Sequence, residues 1–253
     1  MNARITLAIA SRVLIQLRRD RRTLVMLLVL PCLILTLLWW MFEGGGGTGH
    51  GFDALGPPLL ALIPFVVMFL VTSVTTLRER SSGTLERLLS MPTGKGDFLG
   101  GYAIAFGIVA AVQSTLAVAL CHWVLDLQVS GQVWMLVVVA VVDAVLGTAL
   151  GLFVSAFAQT EFQAVQFMPA LVIPQMLLCG LFVPRDAMPR VLEVLSDVLP
   201  LSYAVDAMSG VVTATGDGFG GVGGEVWSDV TVVLAFTLAG LALGAATLRR
   251  RTP

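Results

Sequence analysis

The chain has 253 residues, 57% of them apolar and only 12% charged, with a formal net charge of −1 and a mean hydropathy of +0.92. A water-soluble domain carries about 25% charged residues, so the composition excludes an ordinary soluble globule. No nucleic-acid partner is expected.

The opening segment, "NARITLAIASRVLIQLRRDRR", is too polar to cross a membrane. Ile5, Ile9, Val13 and Leu17 recur every four residues, with Arg4, Ser11, Arg18 and Arg22 roughly opposite. Residues 1–22 therefore predict a basic amphipathic helix suited to an interface of anionic head groups. A plain basic flank stays open as the other reading.

Six apolar runs follow, at about 23–42, 57–77, 99–123, 133–158, 162–182 and 227–248, each near or above the roughly 20 residues a bilayer-crossing helix needs. They are continuously apolar rather than alternating, and too long for membrane strands. The first lacks the small-residue pattern that ends a cleavable signal. The fold class expected is an all-α membrane protein with six transmembrane helices in one domain, 23–253.

Between spans two and three, "RERSSGTLERLLSMP" (78–92) is charged at one end. Leu85, Leu88, Leu89 and Met91 have the spacing of a small amphipathic helix that Pro92 ends. Taken alone, it is either an element that docks on a partner or a solvated loop. "TGKG" (93–96) is no phosphate loop, because Leu89 stands where the first glycine of G-x-x-x-x-G-K-[ST] belongs. The glycine-rich "EGGGGTGHGFDALGPP" (43–58) lacks Gly-Lys-Ser/Thr and reads as a loop.

Span three carries a small-residue stripe, Ala103, Gly107, Ala111, Thr115 and Ala119, and span four carries Gly147, Gly151 and Ser155. Such stripes let helices approach closely in lipid, within the bundle or at a dimer face. Asp143 precedes the second stripe by one step. An ionised carboxylate in mid-span costs roughly 2.5–3.5 kcal/mol, so it should not face lipid. Gln113 or Thr115 of span three is its expected partner. Three roles stay open: a hydrogen-bonded structural aspartate, an anionic contact for cationic cargo, or a proton-coupling group.

After span five, Pro184, Pro189 and Pro200 bound two short helices within 184–212, the first amphipathic with Met188, Val191, Leu192, Leu195, Val198 and Leu199 on one face. "TGDGFGGVGGE" (215–225) is a linker. Cys32, Cys121 and Cys179 stand in or at the end of apolar runs and read as packing residues, and His50 and His122 lack metal-ligand spacing. Thirteen of the fifteen basic residues fall on one side of the six-span topology; only Arg185 and Arg190 fall on the other. The positive-inside rule then places both termini in the cytoplasm.

"RERSSGTLERLLSMP", "TEFQAVQFMPALVIPQMLLCGLFVPRDAMP" and "LPLSYAVDAM" together resemble the permease subunits of type-2 ATP-binding-cassette exporters, in the daunorubicin and multidrug branch. The resemblance covers nearly the whole chain. It implies a cell-membrane permease that forms its pathway with a second permease subunit, identical or related. Two cytoplasmic ATPase subunits would bind beneath, holding the ATP and Mg, with no cofactor on this chain and no enzymatic activity of its own. It implies that 78–92 is a coupling helix, with Arg78, Glu79, Arg80, Leu85, Glu86, Arg87, Leu88 and Leu89 engaging the ATPase. It also implies that the hairpin caps the outer exit, with Pro184, Met188, Pro189, Pro200 and Tyr203 as its gate. Cargo in the family spans drugs, lipids and lipid-linked polysaccharides; short external loops fit small amphipathic or lipid-like molecules. An ATPase-independent carrier or channel is the alternative.

Overall fold

The computed structural model describes residues 2–43, 51–81, 94–214 and 224–247. Within them the regular structure is nine α-helices and one 3-10 turn: α1 (Ala3–Arg19), α2 (Arg21–Glu43), α3 (Gly51–Ser81), α4 (Lys95–Trp123), α5 (Val133–Ser155), α6 (Glu161–Leu178), the turn Arg185–Ala187, α7 (Arg190–Asp197), α8 (Pro200–Thr213) and α9 (Gly224–Thr247).

Asn2 caps α1, its side chain accepting from the Arg4 amide at 3.1 Å. The apolar period works as expected, since Ile9, Val13 and Leu17 are buried. What covers them is protein: Phe98, Leu99 and Tyr102 of α4 belong to the same core cluster. Gly101 makes the approach possible, because a methyl group there would lie 2.6 Å from Ile9 Cγ2. Asp20 then separates α1 from α2 and takes both the Thr23 amide (3.2 Å) and its hydroxyl (2.7 Å).

Among the described residues, α2, α3, α4, α5 and α9 are long and apolar enough to cross a membrane. α3 is longer than the expected 57–77 and holds three prolines, Pro57, Pro58 and Pro64, inside the helix. The fifth expected span, α6, has 18 residues, which at about 1.5 Å each gives roughly 27 Å. Glu161, Gln163, Gln166 and Gln175, with Pro169 and Pro174, lower its hydropathy, so composition does not single it out as it does the other five.

The tightest packing joins α3 and α5, which run parallel. A Cβ on Gly147 would meet the Phe65 carbonyl oxygen at 2.4 Å, and one on Gly151 the Phe69 carbonyl oxygen at 2.5 Å. This small-residue stripe is therefore an internal contact of the bundle. The α4 stripe is not equivalent: Gly107 has only Val145 Cγ2 nearby, 3.9 Å from a built Cβ, and Thr115 is exposed. α4 buries instead Tyr102, Phe106, Ala110, Gln113 and Ala117, one step around the helix.

The chain reverses after α6 at Gly180, whose φ of +93° lies in the left-handed region. α7 keeps Val191 and Val194 exposed, as is Val198 just after it, while α8 buries most of its length, including Leu201, Val205, Met208 and Val212. The α4–α5 connection joins that end of the bundle: the Ser130 amide donates to the Val212 carbonyl at 2.9 Å, and the Gln128 amide to Asp53 Oδ1 at 3.1 Å. The helices thus share two ends. One carries α1, the last turn of α3 and the first turns of α4 and α6; the other carries the start of α3, the α4–α5 connection and the hairpin. The three cysteines are unbridged.

Candidate functional sites at the two ends and the middle of the bundle

At the α1 end, charge is built into the frame. Glu79 is buried, accepts from the Tyr102 hydroxyl, and faces Arg12 Nη2 at 3.5 Å. Next to it, Arg78 grips Glu161 at the start of α6 through Nε and Nη2, each at 2.9 Å. This fork-to-carboxylate geometry is the strong form of an Arg pair. It ties the Arg78 end of α3 to α6, and Thr160 caps α6 by accepting from the Gln163 amide at 3.1 Å. Asp97 ties the neighbouring corner by accepting from the Asn2 amide (2.7 Å), the Thr6 hydroxyl (3.3 Å) and the Gly94 amide (3.0 Å).

These contacts correct the boundary of the expected coupling helix. Arg78, Glu79 and Arg80 belong to the last turns of α3, which reaches Ser81. Glu79 is turned inward, where Tyr102 and Arg12 hold it inside the protein. The sequence showed its charge but not the two partners, one lying far upstream on α1 and one on the following helix. Leu85, Glu86, Arg87, Leu88 and Leu89 lie outside the described residues. Between α1, α2 and α3 an open cleft of about 300 Å³ is lined by Arg12, Gln16, Asp20, Thr23, Thr75, Arg78 and Glu79, with Leu17 as its apolar wall.

In the middle, Asp143 is 0% and Gln113 1% exposed. Neither carboxylate oxygen and neither atom of the Gln113 amide has a hydrogen-bond partner among the described residues. The two lie at one level: Ser114, next to Gln113, donates to the Ala140 carbonyl at 3.1 Å, one helical turn from Asp143. Thr115 is not brought to this site, since it is exposed and its hydroxyl donates to the Ala111 carbonyl at 2.7 Å. A helix step of two residues separates the inward side of α4 from the outward one. Buried polar groups without partners are uncommon, and these two side chains stand apart from the apolar interior around them.

At the far end, Arg185 organises the hairpin. It pairs with Asp206 of α8 and Asp197 of α7, and its guanidinium lies 5.3 Å from the centre of the Tyr203 ring. Tyr203 in turn donates its hydroxyl to the Asp197 carbonyl at 2.8 Å. Ser196 closes the corner by donating to the Leu178 carbonyl at 2.8 Å and lying 3.0 Å from the Ser202 hydroxyl. Burial pushes the Asp206 carboxyl above its ordinary range, and the Arg185 charge offsets only part of that. Burial works against the Arg185 charge too, but Asp206 and Asp197 outweigh it and hold the guanidinium more firmly protonated.

Of the expected gate residues, Tyr203 joins this network, while the others shape the backbone. Pro184 precedes the 3-10 turn, Met188 follows it, Pro189 precedes α7 and Pro200 opens α8. Arg185, Asp197 and Asp206 were missed at the sequence level. Their spacings of 12 and 21 residues match no helical period, and only the fold of the hairpin brings them together.

With this geometry in view, comparison with known proteins is direct. Residues 5–212 match the ABC-2 type transporter family. The chain is 25% identical over 189 residues to ABC transporter G family member 20 of Dictyostelium discoideum, covering 74% of this chain and 25% of that one. It is 29% identical over 150 residues to the probable multidrug ABC transporter permease YbhR of Escherichia coli K12, covering 59% and 41%. It is 23% identical over 152 residues to the linearmycin resistance permease protein LnrN of Bacillus subtilis, covering 59% and 39%. The matched region thus spans a quarter to about two-fifths of these relatives. A match that runs from α1 through the hairpin covers every element of the described fold before α9, and the chain belongs to the ABC-2 type transporter family.

Proposed function

We propose that this chain is the transmembrane permease subunit of an ATP-binding-cassette exporter. It forms the pathway with a second permease subunit and is driven by separate cytoplasmic ATPase subunits that hold the ATP and Mg. The single observation that carries this is the family match over residues 5–212, which begins at α1 and ends at the hairpin. Two relatives with a permease name, one called multidrug and one linearmycin resistance, favour drug-like or lipid-like cargo and the daunorubicin and multidrug branch.

The finer topology is part of the proposal. α6 is the sixth crossing, its prolines and glutamines placed against protein rather than lipid. In support, α6 buries only Ala164, Val172 and Gln175 within this chain, so a second permease subunit would cover polar groups such as the exposed Gln166 that hydrocarbon would not. The α1 end, with both termini, faces the cytoplasm from the cell membrane, a reading the basic asymmetry supports. The ATPase then docks at residues 82–92, with Leu85, Glu86, Arg87, Leu88 and Leu89, where α3 and α4 converge. Arg78 and Glu79 are the frame that transmits the push into α1, α4 and α6. Asp143 and Gln113 serve the pathway, and the Arg185 hairpin with Tyr203 closes the outer exit.

The experiment is co-purification with a candidate ATP-binding-cassette ATPase subunit from the same organism. Glu86→Lys and Leu88→Asp should preserve membrane insertion, weaken ATPase capture and abolish transport, since losing an interface anchor costs about 2 kcal/mol or more. Normal capture and transport by both variants would refute the docking assignment. Transport in the absence of any ATPase would favour a carrier instead.

A further inference from the structure

We infer that the cleft between α1, α2 and α3 is a binding site for the phosphate head group of an anionic membrane phospholipid. Its lining is polar on all three helices: Arg12 and Gln16 from α1, Thr23 from α2, Thr75, Arg78 and Glu79 from α3, and Asp20 at the α1–α2 junction. Its volume of about 300 Å³ suits a head group with its glycerol.

The acids of the cleft are already committed. Asp20 accepts twice from Thr23, and Glu79 accepts from Tyr102 and Arg12. Arg78 is engaged by Glu161. Arg12 is not used up. A guanidinium has five N–H donors, and among the described residues Arg12 makes one hydrogen bond, from Nη2 to Glu79 Oε1 at 3.5 Å. Its side chain is 37% exposed at the cleft. Arg19, Arg21 and Arg22 stand exposed around Asp20 and bias the neighbourhood toward anions. Guanidinium and phosphate match as a fork to an oxyanion.

The cleft also continues into apolar surface in the direction a lipid requires. Met26 and Leu30 lie three and seven residues beyond Thr23, so they extend its side of α2, and they are 64% and 41% exposed. On α3, Val71 and Val67 lie one and two turns before Thr75 and are half-buried. Both directions lead from the charged end toward the middle of the long apolar helices. A head group in the cleft would thus lay its acyl chains along α2 and α3. That continuity favours a lipid over a water-borne phosphate or a protein segment, neither of which needs an apolar run below the charge.

The inference rests on the membrane placement proposed above. The test is native mass spectrometry of the purified full chain, after exposure to phosphatidylglycerol or phosphatidylcholine in detergent. The wild type should retain one phosphatidylglycerol per chain under activation that strips phosphatidylcholine. Arg12→Gln should lose that adduct at least tenfold, and Arg12→Lys should keep part of it. Because Arg12 also supports Glu79, Thr75→Trp provides the independent check. It fills the cleft, leaves Arg12 in place and should remove the adduct equally. Arg18→Gln, exposed on α1 and outside the cleft, should leave it unchanged.

Retention by both Arg12→Gln and Thr75→Trp would overturn the site. So would equal loss in Arg18→Gln, which would mark diffuse attraction to a basic helix. An adduct that inorganic phosphate alone displaces, or a cleft that only the ATPase protects, would assign it to another occupant. Loss of the adduct with intact ATP-driven export leaves the exporter assignment standing, so the two can fail separately.

Discussion

Replacing Gly147 by alanine puts the α3–α5 contact to a direct test. The new methyl would stand 2.4 Å from the Phe65 carbonyl oxygen, 3.1 Å from its carbonyl carbon and 3.2 Å from its Cα. All three are backbone atoms, so no side-chain rotation relieves the overlap. Ordinary contact begins near 3.4 Å, so the two helices must part by about 1 Å across a tightly packed pair. Overpacking of that kind costs about 1–3 kcal/mol, and a full helix separation belongs at the upper end. Alanine returns at most about 1 kcal/mol through helix propensity. The net is a loss of about 2 kcal/mol, which lowers the midpoint of thermal unfolding by about 4–8 °C for a chain of this size. Gly107→Ala is the matched control. Its nearest neighbour is 3.9 Å away, so it should leave the midpoint unchanged or raise it. Thermal scanning of both variants in detergent decides the point. A Gly107 variant that falls as far as the Gly147 variant, or a Gly147 variant that does not fall, would refute the packing assigned to the two stripes.

Tyr102→Phe should cost about 1–3 kcal/mol, because the buried Glu79 carboxylate loses a donor; an unchanged unfolding midpoint would contradict the network at the α1 end. Arg78→Ala should change stability by no more than about 1 kcal/mol, its pair with Glu161 being exposed, while slowing ATP-driven transport if that pair transmits motion. At the hairpin, the folded state holds the Asp206 proton to higher pH than the unfolded chain does. Its contribution to stability therefore falls as pH rises from the ordinary value of 3.8 through the raised one, and Asp206→Asn should flatten that limb of a midpoint-against-pH curve. Asp143→Asn separates the roles of the central aspartate: selective loss of cationic cargo with normal expression and basal ATPase activity marks a pathway contact. Survival of every cargo in Asn with misfolding in Leu marks a structural one, and full function in Leu defeats both.

The helical membrane class was legible because apolar runs near the bilayer-spanning length are a composition-level signal that needs no tertiary knowledge. The face of α1 was legible for the same reason, through Ile9, Val13 and Leu17. The partner of that face was not, since a period of four tells which residues turn inward but not whether lipid or α4 covers them. The two small-residue stripes illustrate this limit most clearly. Gly147–Gly151 and Ala103–Gly107–Ala111 look alike in sequence, yet only the first meets a neighbouring backbone. Charge misled at Glu79, which is buried against partners, Arg12 and Tyr102, that are remote in sequence, whereas Arg78 stays exposed in its pair with Glu161. The prolines of the hairpin marked its boundaries correctly, whereas the Arg185 triad that fastens it depends on contacts only the fold creates. The inward burial of Asp143 and Gln113 was legible in the sequence; that neither finds a hydrogen-bond partner among the described residues was not.

ATP-driven export in a defined system tests the central claim most directly. The chain, the ATPase captured by co-purification and a fluorescent cationic amphiphile are combined in proteoliposomes, with the ATPase on the accessible side. Transport should require both proteins and hydrolysable ATP, vanish with Glu86→Lys, and stimulate ATP hydrolysis as cargo is added. Transport by this chain alone, or hydrolysis indifferent to both the chain and the cargo, would contradict the assignment of an exporter permease.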